Sequence, residues 1–497
     1  MKMNQSKLLL TAICTLVVFS VNSQHHDMSD RYVPDPSAAV RERVEEWQDL
    51  KFGLMMHWGS YSQWGIVESW SLCPEDYGWC RRTKGSNPDD YFLYKQEYEG
   101  LKKTFNPVQF DPDKWAQAAE KAGMKYVVFT TKHHDGFTMY DSKYTDYKVT
   151  DKECAFHTNP KANIAKEIFD SFREKGMWAG AYFSKPDWNH DSFWDPAFPP
   201  QDRNANYDPN LYPEKWNTFV EFTHNQVLEL VKDYGKLDLM WFDGGWVRKR
   251  DAENLQRNYE EKMKESKGHG FIKHRVVDQD IRMDELVDKM RAIQPNILVV
   301  DRSVSGKNEN YLTPENRVPE KALPYPWESC IISGGGWSYT PDAKYKSPKE
   351  GIHMLVDIVA KGGNLLLNIA PSPEGEWQQG AYDLLTAYGE WLDINGQAIY
   401  NTRAIAPYKE NNICMTQGKE GEVYLIYLDK EDNSGLPATM EIKSLKPKKG
   451  AKITMLGSKK KLKWEYADEG FKVHIPESVK QGATGKYAWS FKVSEMD

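Results

Sequence analysis

The chain has 497 residues, with 65 Lys and Arg against 72 Asp and Glu, which gives a formal net charge of −7. A mildly acidic chain argues against a nucleic-acid partner, because such a partner requires a basic surface, and the length exceeds that of one ordinary domain. The 18 Trp and 27 Tyr are compatible with large cores and also with carbohydrate binding, because sugar rings stack on aromatic planes.

The N-terminus has the pattern of a secretory signal peptide, which we predict at residues 1–23. Lys2 and Lys7 supply positive charge around the start of the apolar stretch Leu8–Val21, which is too short to span a bilayer comfortably. We expect cleavage near Gln24 and a secreted or periplasmic protein. No other apolar run is long enough for a membrane helix.

The mature chain would keep five cysteines, an odd number, in an oxidising compartment. Cys73 and Cys80 are close together in a loop-like stretch, which is compatible with a disulfide between them. Cys330 is expected to be a buried thiol.

Between about residues 50 and 400, short apolar runs alternate with longer amphipathic segments. Strands are predicted at Phe52–His57, Tyr126–Thr131, Trp178–Ser184, Leu237–Asp243, Ile297–Arg302, Trp327–Cys330 and Asn364–Ile369. Helices are predicted at Asp113–Ala122, Asn163–Lys175, Tyr212–Tyr234, Asp284–Ile293 and Lys349–Lys361. This alternation indicates an α/β fold with a parallel sheet covered by helices. Seven or eight repeats favour an irregular (β/α)8 TIM-like barrel over residues 24–400.

After Asn401 the pattern changes to short strands joined by turn residues. The predicted strands are Val423–Tyr427, Thr439–Ile442, Ala451–Met455, Lys461–Trp464, Phe471–His474 and Tyr487–Val493. Such spacing is typical of a β-sandwich, here a C-terminal domain over residues 401–497. The charged segment Glu253–His274 within the barrel region is predicted to be a helical, exposed excursion. Neither a G-x-G-x-x-G nor a phosphate-binding loop motif opens a helix, so a nucleotide-binding fold is not supported.

Polar side chains stand at the ends of six predicted strands. In a (β/α)8 barrel these ends converge on one face, where active sites lie. The residues are His57, His133, His134, Tyr182, Asp243, Arg302 and Glu328.

Two carboxylates among these residues suit glycoside hydrolysis, which uses one as nucleophile or base and the other as acid. Asp243 closes an apolar strand and is followed by Gly244 and Gly245, which would let the backbone approach a ligand closely. Glu328 follows Trp327 in a partly apolar context that would raise its pKa. Taken alone, each has an ordinary structural explanation as a turn residue or an ion-paired residue.

The adjacent pair His133 and His134 raises the question of a metal site. Neighbouring strand residues point to opposite faces, and no further ligand with suitable spacing is evident, so no metal is predicted. Neutral imidazoles that bind sugar hydroxyls fit better, and His57 and Glu68 would act likewise. A Ser-His-Asp hydrolase is not supported, because no G-x-S-x-G elbow is present.

Taken together, the motifs resemble those of the α-L-fucosidases of glycoside hydrolase family 29, over about residues 47 to 395. The most specific segments are 51–59 (KFGLMMHWG), 105–111 (FNPVQFD), 132–137 (KHHDGF), 241–244 (WFDG), 301–302 (DR), 326–328 (PWE) and 362–368 (GGNLLLN). The resemblance implies a barrel followed by a β-sandwich, and a retaining enzyme that needs no metal or other cofactor.

By resemblance, Asp243 is the nucleophile and Glu328 the acid/base residue. The implied fucose-binding residues are His57, Glu68, Trp70, His133, His134, Tyr182, Trp241 and Arg302. Two segments depart from the family pattern: Ser71–Thr104 is unusually long, and 333–336 is a Ser-Gly-Gly-Gly run. Both bear on the linkage that is cleaved and on the sugar itself.

The implied function is removal of terminal α-L-fucose from fucosylated glycans through a glycosyl-aspartate intermediate. Three alternatives stay open: an α-L-galactosidase, a non-catalytic glycan-binding protein, and a metal-dependent hydrolase using His133 and His134. The first is close because L-galactose differs from L-fucose by one hydroxyl, which an apolar pocket rejects only weakly. Linkage preference and oligomeric state are not evident from the sequence.

Overall fold

The structure, a computed structural model, describes residues 32–265, 275–430, 434–483 and 485–497. The predicted signal peptide lies outside these residues. Within the described ranges, no helix is both long enough and apolar enough to cross a bilayer.

The first domain contains a curled sheet of seven parallel strands. They are β1 (Phe52–Met56), β2 (Tyr126–Lys132), β3 (Trp178–Ser184), β4 (Leu239–Asp243), β5 (Leu298–Asp301), β6 (Glu328–Ile332) and β7 (Asn364–Asn368). The strand order is β5-β4-β3-β2-β1-β7-β6. This strand order confirms the barrel-type sheet predicted from the sequence. The strands are apolar along their length because both faces of a parallel sheet are buried.

Helices precede, connect and follow these strands. They are α1 (Ala38–Leu50), α2 (Tyr91–Thr104), α3 (Pro112–Lys121), α4 (Ile164–Glu174), α5 (Pro213–Asp233), α6 (Ala252–Glu265), α7 (Met283–Ile293), α8 (Pro348–Ala360) and α9 (Gln379–Asn395). Capping fixes several of their starts: the side chain of Ser347 accepts from the backbone N–H of Glu350, whose carboxylate accepts in return. Helices α1, α2 and α9 were not predicted. Helix α6 begins the predicted charged excursion, and the rest of that excursion lies outside the described residues.

An irregular segment, residues 308–316, fills the gap between β5 and β6. The N–H of Asn310 donates to Val299 at 2.9 Å, the N–H of Glu328 donates to Leu312 at 2.8 Å, and the N–H of Asn316 donates to Cys330 at 2.8 Å. The segment therefore replaces the eighth strand of a regular barrel and closes the ring.

Aromatic side chains fill the barrel interior. Trp47 of α1 stacks on Tyr311 of the closing segment, with ring centroids 3.8 Å apart. Tyr126, Tyr182 and Trp241 belong to the same buried cluster. The interior is therefore a packed core, and helix α1 seals the end of the barrel where the strands begin.

The second domain is an antiparallel β-structure with its own apolar core. Its strands are β8 (Thr402–Glu410), β9 (Ile413–Gly418), β10 (Val423–Leu428), β11 (Thr439–Ile442), β12 (Ile453–Met455), β13 (Lys461–Tyr466), β14 (Phe471–His474) and β15 (Ala488–Val493), with a short helix α10 (Glu477–Lys480). All six predicted strands are present, and β8 and β9 are additional. The indole of Trp391 in α9 donates to Ala488 at 2.9 Å, which ties this domain to the barrel.

Candidate active site

Asp243 is the last residue of β4, at the end of the barrel where the strands finish. Its Oδ1 accepts from Arg302 Nη1 at 3.0 Å, and its Oδ2 accepts from the hydroxyl of Tyr182 at 2.7 Å. Burial alone would raise the pKa of Asp243, but Arg302 and Tyr182 hold it well below its usual range. A carboxylate kept ionised at the mouth of a barrel is suited to nucleophilic attack.

The glycines after Asp243 serve the packing of neighbouring backbone. Gly244 has φ +86°, and a Cβ there would lie 2.4 Å from Pro186. A Cβ on Gly245 would lie 2.7 Å from the carbonyl oxygen of Arg302. We predicted that these glycines let the backbone approach a ligand. The structure shows instead that they let the segments after Asp243 pack against Pro186 and Arg302.

The predicted pair His133 and His134 directly follows β2, and both imidazoles are buried. Each Nδ1 is held by a serine: Ser69 Oγ lies 2.5 Å from Nδ1 of His133, and Ser184 Oγ lies 2.6 Å from Nδ1 of His134. Burial lowers the pKa of His134 to about 3 and that of His133 well below its usual value. Both rings are therefore neutral at pH 7, in agreement with the sequence-based prediction.

Lys132, which directly precedes His133, belongs to a buried ion pair. Lys132 Nζ lies 3.0 Å from Oδ2 of Asp187, and neither side chain is more than slightly exposed. Gly136 has φ +81°, and a Cβ there would lie 2.3 Å from Oδ1 of Asp187. The motif of residues 132–137 therefore needs a glycine at this position, because the Asp187 carboxylate occupies the space beside it.

His57 follows β1 and faces the same region. Its Nδ1 lies 2.9 Å from Oδ1 of Asn368 in β7, and its ring centroid lies 5.2 Å from those of Tyr182 and Trp337. Burial lowers the pKa of His57 to about 4. The structure thus brings His57 to the pocket as a neutral hydrogen-bonding group.

Glu68 is buried beside this cluster, with a side chain whose Oε1 has no hydrogen-bond partner among the described residues. Its backbone φ is +28°, which is rare for a residue with a side chain and is typical of functional sites. Burial, together with the negative charges of Glu315 and Asp243, raises the pKa of Glu68 to about 8. A neutral carboxyl group with a free oxygen is suited to bind a sugar hydroxyl.

The two predicted tryptophans occupy different places. The half-buried Trp70 contacts the edge of His134, with centroids 5.0 Å apart, so it lines the pocket. Trp241 is 2% exposed, and it stacks on Tyr182 at 5.3 Å and on the guanidinium of Arg302 at 5.4 Å. Trp241 therefore supports the pocket from within the barrel.

Glu315 is a site residue that the sequence-based reasoning missed. It lies on the closing segment, and its carboxylate contacts Nη2 of Arg302, whose Nη1 binds Asp243. One guanidinium thus contacts two carboxyl groups, and glycoside hydrolysis requires such a pair. The segment has no periodic apolar pattern that would predict a strand. The Thr-Pro-Glu sequence at residues 313–315 was the only feature that could have drawn attention to Glu315.

Glu328 does not lie at the pocket, and its expected role as acid/base residue is corrected. It is the first residue of β6, at the opposite end of the strand from the pocket, with 0% exposure. Its Oε2 accepts from the hydroxyl of Tyr126, the first residue of β2, at 2.5 Å. Burial raises the pKa of Glu328 to about 8. A carboxyl group sealed in the core cannot protonate a leaving group.

Three residues of the pocket could hold a metal ion: ligand atoms of His133, His134 and Asp243 all lie within 4.8 Å of one another. The expectation that the two imidazoles point to opposite faces is therefore wrong, because their ring centroids are only 4.1 Å apart. The donor set fits a cation poorly, however. The Asp243 oxygens already bind Arg302 and Tyr182, and a cation here would also face the positive charge of Arg302.

The five described cysteines are buried free thiols. Cys330 is among them, as predicted. Cys73 and Cys80 are neighbours in one apolar cluster, and the disulfide that their spacing allows is not formed in this structure.

Comparisons with known proteins show the family to which the chain belongs. A family model described as alpha-L-fucosidase matches residues 19–397, and a model of the alpha-L-fucosidase C-terminal domain matches residues 408–494. The tissue alpha-L-fucosidase of Homo sapiens is 28% identical over 478 residues, covering 93% of this chain and 92% of that protein.

Solved structures show the same fold. Alpha-L-fucosidase isoenzyme 1 from Paenibacillus thiaminolyticus is 26% identical, with a TM-score of 0.69 over 92% of this chain and all of that one. A fucosidase of Bacteroides thetaiotaomicron, described as a trapped covalent intermediate with 2-fluoro-fucosyl fluoride, is 22% identical, with a TM-score of 0.68 over 93% of this chain and 97% of that one. Since the family model spans most of the sequence, this chain belongs to the α-L-fucosidase family, glycoside hydrolase family 29.

Proposed function

We propose that this protein hydrolyses terminal α-L-fucosides with retention of configuration, using Asp243 as nucleophile and Glu315 as acid/base residue. The observation that carries the proposal is the guanidinium of Arg302, which binds both carboxylates at the open end of the barrel. Family membership gives the substrate class, and the geometry supports the proposed roles of the two carboxyl groups.

In the first step, Asp243 attacks the anomeric carbon while Glu315 donates a proton to the glycosidic oxygen. The C–O bond to the leaving group breaks, and a glycosyl ester forms on Asp243. Tyr182 and Arg302 keep Asp243 ionised before the attack, which makes it available as a nucleophile.

In the second step, Glu315 takes a proton from water, and the resulting hydroxide attacks the anomeric carbon of the ester. Asp243 leaves as a carboxylate, and fucose is released with its original anomeric configuration. Two inversions at one carbon give net retention.

The choice of Glu315 over Glu68 as acid/base residue follows from exposure. The Glu315 side chain is 23% exposed, whereas Glu68 is 2% exposed. The leaving glycan must depart toward solvent, so the group that protonates it must itself reach solvent. Glu68, held within the pocket, is suited to bind a ring hydroxyl instead.

Binding of fucose hydroxyls is assigned to the buried polar groups around Asp243. Oε1 of Glu68 and Nε2 of His134 lack hydrogen-bond partners among the described residues, and buried polar atoms require partners. His57, His133 and Trp70 complete the wall of the pocket. A sugar with three ring hydroxyls would provide these partners.

The experiment is hydrolysis of 4-nitrophenyl α-L-fucoside, followed by NMR of the first anomer released. Fast turnover with the α-anomer appearing first is the expected result, and EDTA should leave the rate unchanged. The same measurement on the α-L-galactoside gives the specificity ratio. Turnover of the galactoside alone would change the substrate assignment to α-L-galactoside. Loss of activity with EDTA would contradict the metal-free mechanism.

Export is part of the proposal. The charged and apolar pattern of residues 1–23 supports it. The mature N-terminus should lie near Gln24 and can be determined by Edman sequencing or mass spectrometry of protein recovered outside the cytoplasm. A protein that keeps Met1 and stays in the cytoplasm would contradict it.

A further inference from the structure

The imidazole of His134 lies between Asp243 on one side and a serine on the other. Its Nε2 lies 3.9 Å from Oδ2 of Asp243, and its Nδ1 lies 2.6 Å from Oγ of Ser184. The ring and Ser184 are fully buried. A neutral imidazole carries one proton, and this environment determines which nitrogen has it.

The carboxylate requires a proton on Nε2. If Nε2 carried a lone pair instead, it would face the negative charge of Asp243 in a buried site, which is repulsive. Nδ1 must then accept a hydrogen bond, and among the described residues its hydrogen-bond neighbour is the hydroxyl of Ser184.

The hydroxyl of Ser184 is free to donate to His134. The other hydroxyl nearby, that of Tyr182, is farther from Ser184 Oγ, at 3.5 Å, and donates its own proton to Asp243 at 2.7 Å. The single proton of Ser184 therefore goes to the closer acceptor, Nδ1 of His134.

We propose that Ser184 is a positioning residue that holds His134 in the tautomer with the proton on Nε2, so that His134 presents a donor to the nucleophile and the bound sugar. This inference rests on the proposed function. In this arrangement Ser184 donates a hydrogen bond to Nδ1 of His134, and His134 in turn offers its Nε2–H to the pocket.

The first test replaces Ser184 and measures kcat on 4-nitrophenyl α-L-fucoside. Ser184→Ala should lower kcat by about 10- to 100-fold, the range seen when partners that orient histidine ligands are removed. Ser184→Thr, which keeps the hydroxyl, should recover much of the loss. Ser171→Ala is the matched control: this serine donates to Asp113 at 2.7 Å on the outside of the barrel, and its loss should affect only thermal stability.

The second test reads the tautomer directly, without activity. In wild-type protein labelled with ¹⁵N-histidine, the resonances of His134, assigned with a His134→Asn variant, should show a protonated Nε2 and an unprotonated Nδ1. A protonated Nδ1 in wild type, or a fully folded Ser184→Ala variant with wild-type kcat, would overturn the inference. Absence of fucoside hydrolysis by wild type would instead refute the proposed function.

Discussion

Arg302 donates from Nη1 to Oδ1 of Asp243 at 3.0 Å, and its second amino group contacts Glu315. The guanidinium thus lies between Asp243 and Glu315 and fixes the position of one carboxyl group relative to the other. When Asp243 becomes a neutral ester, Arg302 faces Glu315 alone. In the proposed mechanism, this contact holds Glu315 in place for the second step, in which it takes a proton from water.

Replacement of Glu315 tests whether Glu315 or Glu328 is the acid/base residue. Glu315→Ala should lower kcat/KM on an oligosaccharide by about 10² to 10⁴-fold, since general acid catalysis contributes that much. The loss should be smaller for an activated aryl fucoside, whose leaving group needs no proton. Azide should restore turnover and yield the α-L-fucosyl azide.

Glu328→Gln is the matched variant for this experiment, because Glu328 lies sealed in the barrel core. It should keep turnover on both substrates. Azide rescue of Glu328→Ala with no rescue of Glu315→Ala would reverse the assignment.

Glu328 should instead make stability dependent on pH. Its pKa is raised from 4.5 to about 8 by burial, so the folded state keeps a proton that the unfolded chain loses. Stability should therefore fall as pH rises from about 4.5 to 8, by on the order of 3 kcal/mol at pH 7. Glu328→Gln should flatten the change in Tm over this range, whereas replacement of the exposed Glu477 by Gln should not. An unchanged slope in the Glu328 variant would contradict the assignment.

Glu68 should control the alkaline side of the activity profile. Its pKa is raised to about 8, so the carboxyl is neutral below this pH and becomes a charged neighbour of Asp243 above it. We expect kcat/KM to decline above about pH 8 and Glu68→Gln to remove that decline, because the amide cannot ionise. Glu328 has a similar pKa but lies away from the pocket, so the Glu328→Gln variant should keep the decline above pH 8. Persistence of the limb in the Glu68 variant would show that another group causes it.

Gly136 should be required for the geometry of the histidine pair. Gly136→Ala would place a Cβ 2.3 Å from Oδ1 of Asp187 at φ +81°, so we expect a loss of about 2–4 kcal/mol in stability. Gly176→Ala is the control, because its φ is also positive, at +72°, but no atom lies within 4 Å of the added Cβ. Equal losses of Tm in the two variants would contradict a specific role for the contact with Asp187.

Much of the fold and of the pocket could be predicted because buried parallel strands leave a clear apolar pattern. The strand ends at His57, His134, Asp243 and Arg302 were placed correctly for this reason. Glu328 was misplaced because the short predicted strand Trp327–Cys330 does not reveal which of its ends faces the pocket. The strand begins at Glu328 and extends past the predicted end, to Ile332.

Glu315 could not be predicted from periodicity, because its segment closes the barrel through a few backbone hydrogen bonds instead of a regular strand. Helix α1 was missed for a related reason: only Val40, Val44 and Trp47 of its thirteen residues are buried, and they pack into the barrel interior. Both features depend on tertiary contacts, which local sequence patterns do not encode.

The most direct test of the account is to identify the residue that forms the covalent intermediate. The Glu315→Ala variant would be incubated with 2-fluoro-fucosyl fluoride, digested, and analysed by peptide mass spectrometry. We predict one fluorofucosyl group, attached to Asp243, and no label in the Asp243→Asn variant. A label on another carboxylate, or active wild-type enzyme from which no labelled peptide can be recovered, would contradict the assignment of Asp243 as the nucleophile.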